Sequence, residues 1–283
     1  MRWSPGGTSS DIEDRRGWGG GGFGGGGGLR LGLGGIIVLG ILSLIFKQDF
    51  LSMVSGGGGS PAPPTTGAAD RGDLGEQREV QFVSFVLDDA QRTWDQLLPQ
   101  AGGEYRHAKL VLFRDYTESA CGAAESATGP FYCPADEKVY IDLGFFDELK
   151  SKFGAPGEFA QAYVLAHEIG HHVQKILGID RQVRQAQARN PSAANQLSVR
   201  MELQADCLSG VWGHSTKQRQ IIDDADIAAG LQAAASVGDD RLQRMSRGHV
   251  SPESFTHGSS AQRMEWFKRG LEAGTLQACD TFR

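Results

Sequence analysis

The segment Val164 to Gly178, VLAHEIGHHVQKILG, restricts this chain more than any other. It sets three histidines and a glutamate within six residues of an otherwise apolar run. From Phe159 to Leu177 the apolar spacing is that of a largely buried helix, and Gly178 stands where a glycine ends one. On such a helix His167 and His171 are four residues apart, so both rings project from one face a turn apart. Two imidazoles at that spacing can meet one zinc ion. Glu168 can lean toward the open side of that metal and take a proton from bound water. His172 points about 100° away from His171 and reads as a packing or hydrogen-bonding residue, not a ligand. Gly170 suits a helix pressed closely against a neighbour, despite its low helix propensity.

A helix that merely buries histidines is the plainer alternative while the motif stands alone. A catalytic zinc takes three protein ligands and keeps a fourth position for water. In H-E-x-x-H-x-x-G-x-x-H sites the third is a histidine, which here would fall at 177, but that residue is leucine. The next long helical stretch instead carries Glu202-Leu-Gln-Ala-Asp206. Glu202 can coordinate as a carboxylate. Asp206 lies one turn on, on the same face, and can accept the second ring N–H of a ligand histidine, most naturally His167. A solvated polar face is the competing reading, but Leu203, Ala205, Leu208 and Val211 make much of this helix apolar.

The N-terminal third is of another kind. Forty glycines are far more than a chain of 283 residues usually carries, and most of the excess lies in 17–35 and 56–59. Leu31 to Phe46 has no charge and is bracketed by Arg30 and Lys47. As a helix this run is about 24 Å long, short of a ~30 Å hydrocarbon core unless the flanking cations snorkel. Glycine-rich sequence before it and a Ser/Gly/Pro-rich stretch after it cannot pack a core around it, which favours a membrane span over a core helix. A cleaved signal peptide fits less well, because about 30 residues precede the run and no A-x-A site follows. Arg2, Arg15, Arg16 and Arg30 before the run outnumber Lys47 after it, so the positive-inside rule keeps the N-terminus cytosolic. The expected organisation is a Gly-rich cytosolic tail (1–28), a transmembrane signal-anchor (29–47), a flexible linker (48–79) and a domain (80–283). In a bacterium this is a single-pass inner-membrane protein with a periplasmic domain.

Four cysteines in an exported domain suggest two disulfides. Cys121 and Cys133 are close in sequence, which leaves Cys207 with Cys279; four unpaired buried thiols are the alternative. A net charge of −6 gives no footprint of a nucleic-acid binder. Residues 77–98 space their apolar positions as an amphipathic helix. Lys109–Phe113, Phe131–Cys133 and Val139–Leu143 read as strands, the last two joined by a turn at Pro134–Glu137. Helices are then expected over 159–177, from Asn190-Pro191 through Trp212, over 225–237, and from Ser259-Ser260 to Gly274. The fold class is α+β, with a small antiparallel or mixed sheet and a helix bundle.

H-E-x-x-H followed by E-x-x-x-D on a second helix resembles the gluzincin class of zinc peptidases. More closely, the chain is similar to a bacterial family of membrane-anchored neutral zinc metallopeptidases. The similarity is carried by MRW, DIEDRRG, GPFYCPADEKVYIDLGFFDEL, GAPGEFAQAYVLAHEIGHHVQ, RMELQADCLSGVW and FTHGSSAQRMEWFKRGLEAG, which span nearly the whole length. The resemblance implies a zincin-like fold, a Zn2+ cofactor and a peptide or protein substrate. It implies endopeptidase chemistry with Glu168 as base and His167, His171 and Glu202 as ligands. By analogy with thermolysin-like enzymes, His257 would stabilise the oxyanion; a loop and helix cap at 256–260 is the alternative. Arg263 would orient His257 or bind a substrate carboxylate, and the strand holding Tyr132 would pair with an extended peptide. A zinc-stabilised envelope scaffold without catalysis, or an amidase acting on peptidoglycan peptides, are the competing functions. The sequence leaves the oligomeric state open.

Overall fold

The structure, a computed structural model, describes residues 1–17, 69–125, 129–151 and 157–283. Its main sheet has the order β1-β2-β6-β5, from β1 (Ile12–Asp14), β2 (Lys109–Phe113), β5 (Phe131–Cys133) and β6 (Lys138–Asp142). β1, β2 and β6 run parallel, and β5 pairs antiparallel with β6. The continuous apolar runs Leu110–Phe113 and Val139–Ile141 are buried on both faces, as central strands require. Among the described residues β5 pairs only with β6 and forms an edge. β3 (Tyr116–Ser119) and β4 (Gly122–Glu125) make a separate hairpin, which the Cys121–Cys133 disulfide ties to β5.

Helix α1 (Ala69–Leu97) buries Phe82, Val83, Val86, Leu87 and Trp94 in the shared core. It begins well before residue 80, so the linker expected over 48–79 ends sooner than the sequence suggested. After β6 come α2 (Gly144–Ser151), α3 (Glu158–Ile176), α4 (Ile179–Arg189) and α5 (Ala194–Gln218). α6 (Asp224–Ser236), α7 (Asp239–Arg247) and α8 (Ser260–Ala273) complete the order. Gly178 takes the left-handed conformation at φ 73° between α3 and α4. Ser259 and Gln262 form a capping box at the start of α8.

Two close crossings set the site. A Cβ on Gly170 would stand 3.0 Å from the Ala205 carbonyl oxygen, so glycine lets α3 lie against α5. On the far side of α5, a Cβ on Gly210 would run into the Phe267 carbonyl oxygen, and one on Gly270 into that of Cys207. α5 is thereby held between α3 and α8, and the Cys207–Cys279 disulfide ties it to the chain end. Both expected cysteine pairings are present, and no cysteine is free.

The N-terminal residues depart from the expected tail. Residues 12–14 are a strand of the main sheet, in register with Leu110–Leu112. Trp3 packs on Phe82 at a ring separation of 5.3 Å, and its indole N–H donates to Glu158 at 2.9 Å. The Lys109 ammonium reaches Asp11 at 2.7 Å, that of Lys138 reaches Glu13 at 2.6 Å, and Arg16 reaches Glu76 at 3.0 Å. Short charged segments of this kind carry little periodic signal, which is why the sequence did not reveal β1. A single crossing by residues 29–47 would separate residues 1–28 from the domain by a ~30 Å hydrocarbon layer. Ladder hydrogen bonds of ~2.9 Å cannot span that, so this fold needs residues 1–17 and 69–283 on one side. Residues 29–47, and the linker from 48 to 68, lie outside the described residues. Among the described residues no helix is long and apolar enough to cross a membrane.

Candidate metal centre

α3 and α5 bring His167, His171 and Glu202 together, with one ligand atom from each within 4.8 Å of the others. His167 Nε2 is 3.2 Å from Glu202 Oε2, and His171 Nε2 is 3.5 Å from Oε1. The two rings stand perpendicular, their centroids 4.8 Å apart. The spacing of four along α3 places both rings on the face turned to α5. Glu202, four residues before Asp206, occupies the facing turn.

Each imidazole is aimed from behind. His167 Nδ1 donates to Asp206 Oδ1 at 2.9 Å, and His171 Nδ1 donates to Gln174 Oε1 at 2.8 Å. Both Nε2 atoms thus point at Glu202 and, once a metal displaces their protons, can donate lone pairs to it as metal-ligating histidines do. Asp206 is fully buried and is shared: Tyr163 donates its hydroxyl to it, and Arg263 binds it through Nε at 2.8 Å and Nη2 at 2.9 Å. Gln174 is held in turn by the Met201 carbonyl at 2.8 Å and Gln204 Oε1 at 3.0 Å.

Charge follows this geometry. Burial disfavours a charged His167, but the Asp206 carboxylate and its hydrogen bond outweigh burial and push the ring up to about 10. Burial likewise works against charge on Glu202, yet His171 and the bonds to both rings hold its carboxyl well below the usual range. A buried carboxylate facing two imidazole Nε2 atoms suits a divalent cation that prefers nitrogen and oxygen donors and displaces the ring protons. Glu168 is buried next to this trio without being one of its members, and burial raises its pKa.

The trio opens into a cleft of about 530 Å³ bounded by β5, α3, α4 and α5. Phe131, Tyr132, Glu168, His257 and Arg263 line it. His257 is half exposed there, with Nδ1 3.2 Å from Asp239 Oδ1. Asp239 Oδ2 also accepts the backbone N–H groups of Thr256, His257 and Gly258 at 2.6–3.0 Å, so one carboxylate fixes both the loop and the ring. Arg263 differs from expectation. Its donors turn to Asp206, Tyr163 and the Val237 carbonyl, so it orders the residue behind His167 and does not orient His257. Tyr132 donates its hydroxyl to His172 Nδ1 at 2.9 Å, and His172 Nε2 donates to the Arg106 carbonyl at 2.6 Å. The third histidine of the motif therefore braces the edge strand from behind.

Gln174, Tyr163 and Asp239 also belong to the site, although none was expected from the sequence. Gln174 follows His171 by three and Tyr163 precedes His167 by four, spacings that put each beside its histidine on α3. Asp239 carried no such signal, because its partner is 18 residues away across a loop.

Residues 1–282 match the family described as "Putative neutral zinc metallopeptidase". The chain belongs to this family. Zinc is therefore the metal that the histidine and carboxylate donors imply. The match includes residues 1–17, consistent with their place in the sheet. The "Uncharacterized protein YpfJ" of Escherichia coli (strain K12) is 47% identical over 287 residues, covering 100% of this chain and 99% of that one. A protein of Mycobacterium tuberculosis (strain ATCC 25618 / H37Rv) is 44% identical over 200 residues, 67% of this chain and 66% of that one. No solved structure matches the chain significantly.

Proposed function

We propose that this family member is a zinc-dependent endopeptidase whose working residues are His167, His171, Glu202 and Glu168. The convergence of the three donor atoms within 4.8 Å, with both histidine Nδ1 atoms already committed, is the observation that carries this reading. His167, His171 and Glu202 would hold the ion, and Asp206 and Gln174 would keep the two rings in the ligating tautomer. When bound, zinc lowers the pKa of a coordinated water toward ~7 and polarises a scissile carbonyl. Glu168 accepts the proton of the attacking water and later passes it to the leaving amine. His257, with Nδ1 turned to Asp239, can present an Nε2–H donor toward the oxyanion that forms. β5 offers an open strand edge along the cleft to an extended peptide. The experiment is cleavage of a mixed peptide library by zinc-loaded protein. Chelation should abolish cleavage, and added zinc should restore it. Cleavage unaffected by metal removal would defeat the proposal.

We also place residues 1–17 and the domain together in an oxidising, extracytoplasmic compartment. The two disulfides support the compartment, and strand β1 supports the shared side. Ser4→Cys and Ser254→Cys put single reporters on exposed positions of the two parts. Both should react with a membrane-impermeant maleimide in intact spheroplasts. Labelling of Ser254→Cys alone, with Ser4→Cys reacting only after lysis, would show a crossing between them.

A further inference from the structure

Asp180 lies in the first turn of α4, two residues after the left-handed Gly178, and lines the same cleft as the metal trio. Its residue is only 6% exposed. Its Oδ2 lies 2.8 Å from Arg184 Nη2, a neighbour one turn along α4. Both Oδ1 and Oδ2 are buried and neither has a hydrogen-bond partner among the described residues, so the contact with Arg184 is an ion pair alone. A first-turn acid paired with a residue four positions on is a common way to stabilise a helix start, and it gives Oδ2 a charge partner without a hydrogen bond. It does not account for Oδ1. Native proteins rarely leave a buried acceptor without a donor, and a carboxylate oxygen is among the costlier ones to leave so.

The surroundings indicate what donor would serve. Tyr132, Pro134 and Val183 line the cleft with Asp180, so a side chain entering there has largely apolar walls along its length and an acceptor at its end. The Tyr132 hydroxyl is already given to His172 and cannot fill the role. Arg184 is half exposed, so its guanidinium can move toward solvent and let an incoming group reach both carboxylate oxygens. A long aliphatic stem ending in a cation matches that pocket. Charged donors also make hydrogen bonds roughly twice as strong as neutral ones.

We propose that Asp180 makes this cleft select a substrate with a lysine or similarly long cationic side chain. The inference rests on the peptidase reading for its substrate class. Arg184 acts as an internal stand-in for that cation and competes with it.

The test compares peptides that differ only in lysine against norleucine at each position, using the full chain loaded with zinc. At one position wild type should favour lysine by about tenfold or more in kcat/KM. Asp180→Asn should bring that ratio toward one, and Arg184→Gln should raise it. If Asp180 and Arg184 only brace the start of α4, the two variants will move the ratio alike or leave it unmoved, and the proposal fails. A wild type that is indifferent to charge, or prefers glutamate, also overturns it. Binding of the same peptide pair to Glu168→Gln, with and without Asp180→Asn, separates this claim from hydrolysis. A lysine preference in binding that depends on Asp180, alongside a zinc-loaded wild type that cleaves nothing, would keep this inference and refute the peptidase. Absence of binding by either peptide would refute both.

Discussion

Glu202→Ala is expected to cost more than about 100-fold in zinc affinity, measured by competition with a chromophoric chelator. Losing only an outer partner of a ligand typically costs about 10–100-fold, and Glu202 is itself one of the three donors. The loss should be larger than that from Asp206→Asn, which leaves all three donors present but frees His167 to turn. Zinc should then raise the melting temperature of wild type far more than that of Glu202→Ala, because an ion stabilises the folded state only to the extent that it binds there. Unchanged affinity in Glu202→Ala would mean that another group completes the site. His257 would be the first to examine, since it lines the same cleft.

Glu168→Gln has the larger effect on chemistry and the smaller effect on metal. The substitution keeps the size of the side chain and removes its ability to take a proton. A positioned general base contributes about 10²–10⁴ to rate, so hydrolysis should fall within or beyond that span. Zinc affinity should hold within a few fold, because Glu168 is not among the three donors that converge.

How much of this could be seen in the sequence varied with the physics of each element. α3 was plain because its apolar and histidine positions share one helical period, and Glu202 and Asp206 were plain because a second helix repeated the logic. Strands β2, β5 and β6 were plain from their short apolar runs and the turn between the last two. α4 was not, since Ile179 and Val183 are nearly the only apolar residues in a charged segment whose packing comes from its neighbours. α7 was hidden for the same reason. β1 is three residues long and two of them are acidic, so only its partner strand makes it a strand. The residues that hold the histidines in place divide in the same way. Asp206, Gln174 and Tyr163 sit at helical spacings that a sequence can show. The role of Arg263 could not be read, because it depends on how closely α8 approaches α5 through Gly210 and Gly270.

The most direct measurement is the cleavage profile of a mixed peptide library, taken in parallel for wild type and Glu168→Gln at equal, measured zinc content. One equivalent of zinc is expected in both proteins, with discrete cleavage products from wild type and products formed at least about 100-fold more slowly by the variant. Equal profiles from the two proteins, or a wild type that binds zinc and cleaves nothing, would contradict the peptidase proposal.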